Sequence, residues 1–409
     1  MTSPLAQPLT LPCGAQLPNR ILKSAMSEIQ GTPRHAPSPG LPRLYRRWAQ
    51  GGVGLSITGN VMIDRRALGE PGNVVIEDDR DLDALRAWAA AAKSEGGAVW
   101  MQLNHPGKQS PRFLSREPVA PSAVGFGPAL AKAFAVPRAL TQAEIHDLIA
   151  RFGRAAAVAV AAGFDGVQLH GAHGYLVSQF LSPHHNRRTD DWGGSLDNRA
   201  RFARAVLAAI RNNVGPSVPI GIKINSADFQ KGGFTEEESR QVIRWLAEDG
   251  VDLVEVSGGT YEAPAMTGSA RKQSTREREG YFLDFVAQMR QEVDVPLAVT
   301  GGFRTAAGME SALERGAADM VGLARTLAIQ PDFPAQVLSG AAPESRVRRL
   351  STGVKALDAV ATLDITWYEV QLGRMAAGKE PDPDLGPLRA LGSTLWAQGR
   401  QAFKMRRAR

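Results

Sequence analysis

The stretch LHGAHGYLVSQF, residues 169–180, sets His170 and His173 three apart, with Tyr175 two further on. Imidazoles at this spacing can hold a metal, pass a proton, or donate paired hydrogen bonds to one substrate oxygen. A phenol with the ordinary pKa of about 10 stays protonated near neutrality and can give up a proton. His184, His185 and Asp190 crowd the same segment, so a metal-dependent hydrolase is one reading, though an HxxH pair alone does not define a metal site. A non-catalytic ligand-binding protein is another.

What positions these residues is a repeated pattern. AGFDGVQLHG, DGVDLVEVSG and GAADMVGLAR carry Asp165-x-Val167, Asp252-x-Val254 and Asp319-x-Val321. Each follows an amphipathic stretch that ends near a glycine (Gly163, Gly250, Gly316), the usual helix stop. Each therefore reads as helix, short turn and buried strand. IGIKI (220–224), PLAVT (296–300), RILKSA (20–25), GLSIT (54–58) and VWMQL (99–103) supply five more strands of the same kind. All are too apolar for a sheet with one wet face.

Thr141 with Glu144, and Thr235 with Glu238, form capping boxes, while Asp197 and Thr305 are expected N-caps. Eight alternations predict an α/β fold, a (β/α)8 TIM barrel, over residues 1–340. A doubly wound open sheet would need a glycine fingerprint after the first strand, and KSAMSEIQG has none. A C-terminal helical extension with a basic tail is expected over 341–409. The proline-rich segment 104–140 and the polar segment 259–280 are too long for plain turns and read as substrate walls or lids.

Barrel enzymes build their sites at the C-terminal strand ends. Those ends offer Ser24-Ala25-Met26-Ser27, Gly59-Asn60, Gln102, His170 with His173, Lys223, Ser257-Gly258, Gly301-Gly302 and Gly322 through Arg325. The last two groups suit a phosphate: glycines admit backbone N–H groups, the helix after TGGFRT points its positive end the same way, and Arg325 adds a forked donor. Gln102 suits a ring edge carrying C=O beside N–H, and Lys223 offers a positive charge. A flavin mononucleotide across the barrel mouth accounts for both kinds.

Composition narrows the classes. The chain has 409 residues and a formal net charge of +7, without zinc-finger spacing or an RNA-binding aromatic pattern, so nucleic acid is not an expected partner. No apolar run is long enough for a membrane span and no signal-like leader is evident, which predicts a cytoplasmic protein. Cys13 is the lone cysteine, which excludes an intramolecular disulfide, a CxxC pair and a cysteine-held iron–sulfur cluster.

GFDGVQLHGAHGYLVSQFLSPHHNRRTDDWGGSLDNRARF, with LPNRILKSAMS, GGVGLSITGN, QLNHPGK and GAADMVGLAR in order, resembles the Old Yellow Enzyme family of FMN-dependent ene-reductases. The likeness runs from about residue 5 to about residue 340. It implies non-covalent FMN, NAD(P)H as co-substrate and an activated alkene such as an enone, in a monomer or homo-oligomer. Ser24, Ala25, Met26, Ser27 and Gly59 would line the flavin, Gln102 would hold its pyrimidine edge, and Lys223 would face N1–C2=O. Gly302, Ala324 and Arg325 would hold the phosphate. His170 and His173 would bind the substrate oxygen, with Tyr175 as proton donor. Ser27 stands where relatives often have threonine or cysteine, and Lys223 where many have arginine. Some relatives borrow an arginine from a neighbouring subunit; for the MRRAR end, a frayed tail is the expectation.

Overall fold

The computed structural model describes residues 3–263, 279–354 and 363–394. Eight strands form its centre: β1 Ile21–Lys23, β2 Leu55–Ile57, β3 Ala98–Asn104, β4 Gly166–Gly171, β5 Ile220–Asn225, β6 Leu253–Ser257, β7 Leu297–Thr300 and β8 Met320–Leu323. Each pairs in parallel with the next, and β8 pairs with β1, so the sheet closes into the (β/α)8 barrel read from the sequence.

The main outer helices are α1 Gly40–Gln50, α2 Leu82–Ala92, α3 Gln142–Ala161, α4 Leu196–Val214, α5 Glu236–Glu248, α6 Leu283–Met289 and α7 Ala306–Glu314, then the short α8 Arg325–Ile329 and α9 Phe333–Leu338. Both capping boxes form, at Thr141 with Glu144 and at Thr235 with Glu238. Thr305 caps α7 through Gly308 N–H, as expected. Asp197 does not cap α4. Ser195 does, taking Asn198 N–H on its hydroxyl, and Asp197 falls in the first turn, where its charge still faces the positive helix end.

The Asp-x-Val repeat has a physical job. Asp165, Asp252 and Asp319 each stand just before an even-numbered strand and accept an N–H near the start of the preceding strand. The distances are 2.9 Å to Val99, 2.8 Å to Ile220 and 2.8 Å to Leu297. A basic side chain neutralises each one: Lys93 at 2.9 Å, Arg211 at 2.7 Å and Arg290 at 2.7 Å. The lower rim of the barrel thus gets hydrogen-bond partners that neither strand could supply.

Below that rim a hairpin of Leu9–Thr10 and Gln16–Leu17 packs Leu9, Leu11 and Leu17 with Leu22, Leu55, Ile57 and Trp100. Asp252 anchors it by accepting Cys13 N–H at 2.9 Å. The hairpin's two-residue strands carry too little pattern to be read in advance.

The 104–140 connection is ordered, with Val119–Ala120 pairing in parallel with Arg138–Ala139. The 259–280 segment lies outside the described residues over 264–278, as do 355–362 and the 395–409 tail. Beyond the barrel, α10 Leu363–Ala376 lies against α1, where Arg43 donates to Ala376 O at 2.8 Å, and buries Trp367 and Tyr368. Among the described residues no helix is long and apolar enough to cross a membrane.

Asp252 is 3% exposed in its side chain and accepts three donors, whereas Asp165 is 37% exposed. Asp252→Ala should therefore lower unfolding free energy by about 3 kcal/mol and Asp165→Ala by about 1 kcal/mol, since the former strands two backbone donors and a largely buried guanidinium while the latter strands one backbone donor beside solvent. Urea denaturation of both variants checks the order; equal losses would refute this account of the repeat.

Candidate active site

Alternation along the strands turns Gln168 and His170 of β4 into the barrel, with Lys223 of β5 in register beside His170. From there a continuous polar chain crosses the barrel mouth. Gln102 on β3 donates to Gln168 Oε1 at 2.8 Å, and Gln168 donates to Glu255 Oε2 of β6 at 2.8 Å. Lys223 Nζ and Thr300 Oγ1 both donate to Glu255 Oε1, at 2.9 and 2.7 Å. Ser24 Oγ lies 2.7 Å from Thr300 Oγ1.

Glu255 is completely buried. Burial works against its charge, but the Lys223 ammonium and the Thr300, Lys223 and Gln168 hydrogen bonds win and hold its carboxyl below the usual range. Sequence reasoning found Gln102 and Lys223 but missed Glu255. Its signal was a lone acid inside the apolar strand LVEVS.

The two histidines and the tyrosine do come together. The imidazoles sit 5.3 Å apart at 88°, and the Tyr175 ring is 4.8 Å from His170. Ala172 N–H donates to His170 Nδ1 at 3.4 Å, which leaves the His170 proton on Nε2. His173 is held by its own N–H to Asn225 Oδ1 at 3.1 Å, and its Nε2 lies 2.9 Å from Ser257 Oγ. It also adopts φ +60°, a left-handed conformation that a side chain pays for.

Burial pushes His170 well below its ordinary pKa, aided by His173 and Lys223, and pushes His173 down to about 3. Both are neutral at pH 7. Burial likewise drives Tyr175 well above 10, so it keeps its proton. Its hydroxyl lies 2.9 Å from that of Tyr261, a partner the sequence did not reveal because it stands on the irregular loop just after β6, 86 residues further along.

The strand 1 end is anchored by a second buried group. Lys23 Nζ bonds Glu28 Oε1 at 3.0 Å and Ile57 O at 2.7 Å, and Gly59 N–H reaches the same Glu28 oxygen at 3.2 Å. Gly59 has no space for a side chain, since a Cβ would stand 2.6 Å from Met26 O. Ala25 and Met26 pack against the apolar core, and Ser27 turns to Glu70, 2.5 Å from Oε2.

At the opposite end, Gly301 and Gly302 take φ of +117° and +93°, open to glycine alone at low cost. Ala324 and Arg325 begin α8, and the Arg325 guanidinium lies 5.9 Å over the Tyr368 ring. The start of α7 is not the open anion site that TGGFRT suggested. Glu279 already accepts Arg304 N–H and Thr305 N–H there, at 3.1 and 3.2 Å.

Among the described residues His184 and His185 gather with Glu262 instead. Ligand atoms of His184, His185 and Glu262 lie within 4.8 Å of one another, but Lys108 Nζ stands 3.1 Å from His185 Nδ1 and 3.6 Å from Glu262. A lysine ammonium there competes with a metal for the same ligand atoms. Asp190 pairs instead with Arg188 at 2.5 Å.

Removing Lys223 strands a buried carboxylate. Lys223→Met should cost about 3–5 kcal/mol of stability, and Lys223→Met with Glu255→Gln should recover most of it. A double-mutant cycle by chemical denaturation decides; additive losses would show that the pair is uncoupled.

The chain matches the NADH:flavin oxidoreductase / NADH oxidase family over residues 4–344. It is similar to the NADH-dependent flavin oxidoreductase iliE of Hypocrea jecorina, 39% identical over 354 residues, covering 81% of this chain and 88% of that protein. An NADPH dehydrogenase of Geobacillus is 33% identical over 295 residues, covering 71% and 80%. Among solved structures, morphinone reductase superposes with a TM-score of 0.71 at 27% identity, covering 85% and 92%. The Old Yellow Enzyme homologue of Zymomonas mobilis gives 0.70 at 25%, covering 84% and 94%. The chain therefore belongs to the NADH:flavin oxidoreductase / NADH oxidase family, that of the Old Yellow Enzymes, and is an NAD(P)H-dependent flavin oxidoreductase.

Proposed function

We propose that this protein is an FMN-dependent ene-reductase that saturates the C=C bond of an enone-like substrate. One observation carries the reading: two neutral imidazoles and a protonated phenol converge beside a polar floor at the barrel mouth.

The donor set fits a flavin held non-covalently. After its bond to Gln168, Gln102 keeps Oε1 and one N–H, and Lys223 keeps two N–H groups beyond Glu255. That is the complement of a ring edge with alternating C=O and N–H. Ser24, Ala25, Met26, Ser27 and Gly59 border the same mouth from β1 and β2, and Gly302, Ala324 and Arg325 offer backbone N–H groups and a guanidinium to the phosphate. Bound FMN supplies the hydride, and NAD(P)H restores it.

The chain's own residues do the rest. His170 and His173 donate to the substrate oxygen and stabilise the negative charge that develops on it. Because they are neutral and already positioned, no reorganisation is needed as charge builds. Tyr175 gives its proton to the α-carbon. Its raised pKa keeps that proton available, and Tyr261 orients the hydroxyl.

Purified protein should carry stoichiometric FMN. Tyr175→Phe should leave NAD(P)H oxidation intact while slowing alkene reduction by about 10²-fold. Stopped-flow traces of the two half-reactions check this, and equal falls in both would remove the donor role. Changing His170 and His173 together to alanine should weaken phenol binding at least about tenfold, for the loss of two hydrogen bonds. An unchanged titration would leave the pair a purely structural role.

A further inference from the structure

A Tyr175 that gives its proton to the α-carbon has to be reprotonated before the next turnover. The residue is 7% exposed. Among the described residues its hydroxyl has one hydrogen-bond partner, the Tyr261 hydroxyl at 2.9 Å. The two rings stand 6.0 Å apart at 70°, so they meet hydroxyl to hydroxyl rather than face to face.

Tyr261 is only partly buried, and the loop that carries it is fixed on both sides. Just before it, Thr260 forms a parallel bridge with His173, and Gly259 O accepts Asn225 Nδ2 at 3.0 Å. The same Asn225 holds His173 through its Oδ1. Just after it, Glu262 accepts Gly127 N–H at 3.1 Å and lies 3.6 Å from Lys108 Nζ, both from the 104–140 segment. Phe134 of that segment flanks the Tyr261 ring at 6.4 Å between centroids. The second phenol is therefore held between the histidine pair and the cleft wall, with its hydroxyl on that of Tyr175.

A Tyr175 phenolate is unfavourable where it would form. Burial opposes its charge, and no cation contacts its hydroxyl. Burial raises the pKa of both phenols, while the bond between them raises Tyr175 further and holds Tyr261 down. A proton shared by the two oxygens thus belongs on Tyr175, and its transfer from Tyr261 runs downhill across a hydrogen bond already formed.

We propose that Tyr261 is a second proton-transfer residue, which reprotonates Tyr175 across their hydrogen bond and draws its own replacement from water. This rests on reading Tyr175 as the donor to the α-carbon. In that first step the Tyr175 O–H bond breaks as the C–H bond forms. The Tyr261 O–H bond then breaks as a new O–H bond forms on Tyr175. Water at the partly exposed Tyr261 restores its proton and leaves hydroxide to the solvent. Each turnover takes one hydride from the reduced flavin and one proton from water, and both phenols end as they began.

The test uses FMN-loaded enzyme without oxygen, with 2-cyclohexenone as the alkene. Tyr261→Phe removes the relay oxygen and keeps the ring that packs on Phe134. Stopped flow follows reoxidation of the pre-reduced flavin in one turnover, and steady-state assays follow NAD(P)H consumption. The first turnover uses the proton already on Tyr175, so it should slow only about fivefold, the scale of one lost orienting hydrogen bond. Sustained turnover should fall about 10²-fold, the scale of a lost general acid. The ultraviolet band of tyrosinate should appear with the first turnover of this variant and decay at the slowed steady-state rate. Equal falls in the two rates, without that band, would show that Tyr261 only orients the hydroxyl and overturn the relay. Sustained turnover at the full rate would overturn it as well. Neither result touches the donor role of Tyr175. That role fails on a different one, undiminished alkene reduction by Tyr175→Phe, and the relay falls with it.

Discussion

A fully buried carboxylate, Glu255, sits at the centre of the barrel mouth, and the position of nearly every site residue follows from what it demands. An ionised carboxylate in so dry a place has to be met on both oxygens. Lys223 and Thr300 meet one and Gln168 the other; Gln168 in turn fixes Gln102, and Thr300 fixes Ser24. Those contacts tie the ends of β1, β3, β4, β5, β6 and β7 into one rigid layer. The lone acid in LVEVS is thus a fold determinant, and it tempers the simple picture of Lys223 as a free positive charge. Part of that charge is already spent on Glu255, so what Lys223 offers the barrel mouth is a set of aimed N–H groups more than a bare cation.

Around this ionised floor, the walls are kept neutral by the opposite device. His170, His173 and Tyr175 have no counter-ion within their own contacts, and burial, helped for the histidines by the nearby Lys223 charge, suppresses their charged forms. The contrast assigns the roles. Groups that must hold a geometry permanently are ionised and paired. On the proposed reading, the groups that donate to a charge appearing only during reaction are uncharged and touch only neutral partners (Ala172 N–H, the Ser257 and Tyr261 hydroxyls), so that their strongest interaction is reserved for that moment. The φ of +60° at His173 fits the same logic: β4 ends abruptly, the backbone takes a costly turn, and the second imidazole is brought round beside the first.

How far the sequence revealed this depends on the range of each interaction. Three of the eight strands were legible because Asp165, Asp252 and Asp319 repeat at a fixed offset before β4, β6 and β8 and each aspartate closes the rim locally, and the other five stand out as short apolar runs. Both capping boxes and the His170–His173–Tyr175 constellation are likewise written within a few residues. What stayed hidden joins distant segments. Glu255 looked like an anomaly in an apolar strand until Lys223, Thr300 and Gln168 were placed around it. Tyr261 and Glu70 lie on irregular loops, where no periodicity signals which way a side chain points. Asp197 and Ser195 compete for one helix start two residues apart, and only the backbone turn decides for serine. The α7 terminus looked open because its carboxylate, Glu279, precedes it by some 25 residues of unrelated chain.

The C-terminal extension shows why an appendage outside the barrel pattern belongs to the site. Tyr368 and Glu369 are adjacent on α10, so they leave the helix about 100° apart. The Arg325 guanidinium lies 5.9 Å over the Tyr368 ring, while Glu369 is buried on the neighbouring face of the helix. The helix is placed against α1 through Arg43 and by the Arg47–Glu380 pair beyond it. A shift of α10 along α1 would move the aromatic cover of the Arg325 guanidinium, so the end of β8 is tied to a helix that lies outside the eight-fold repeat.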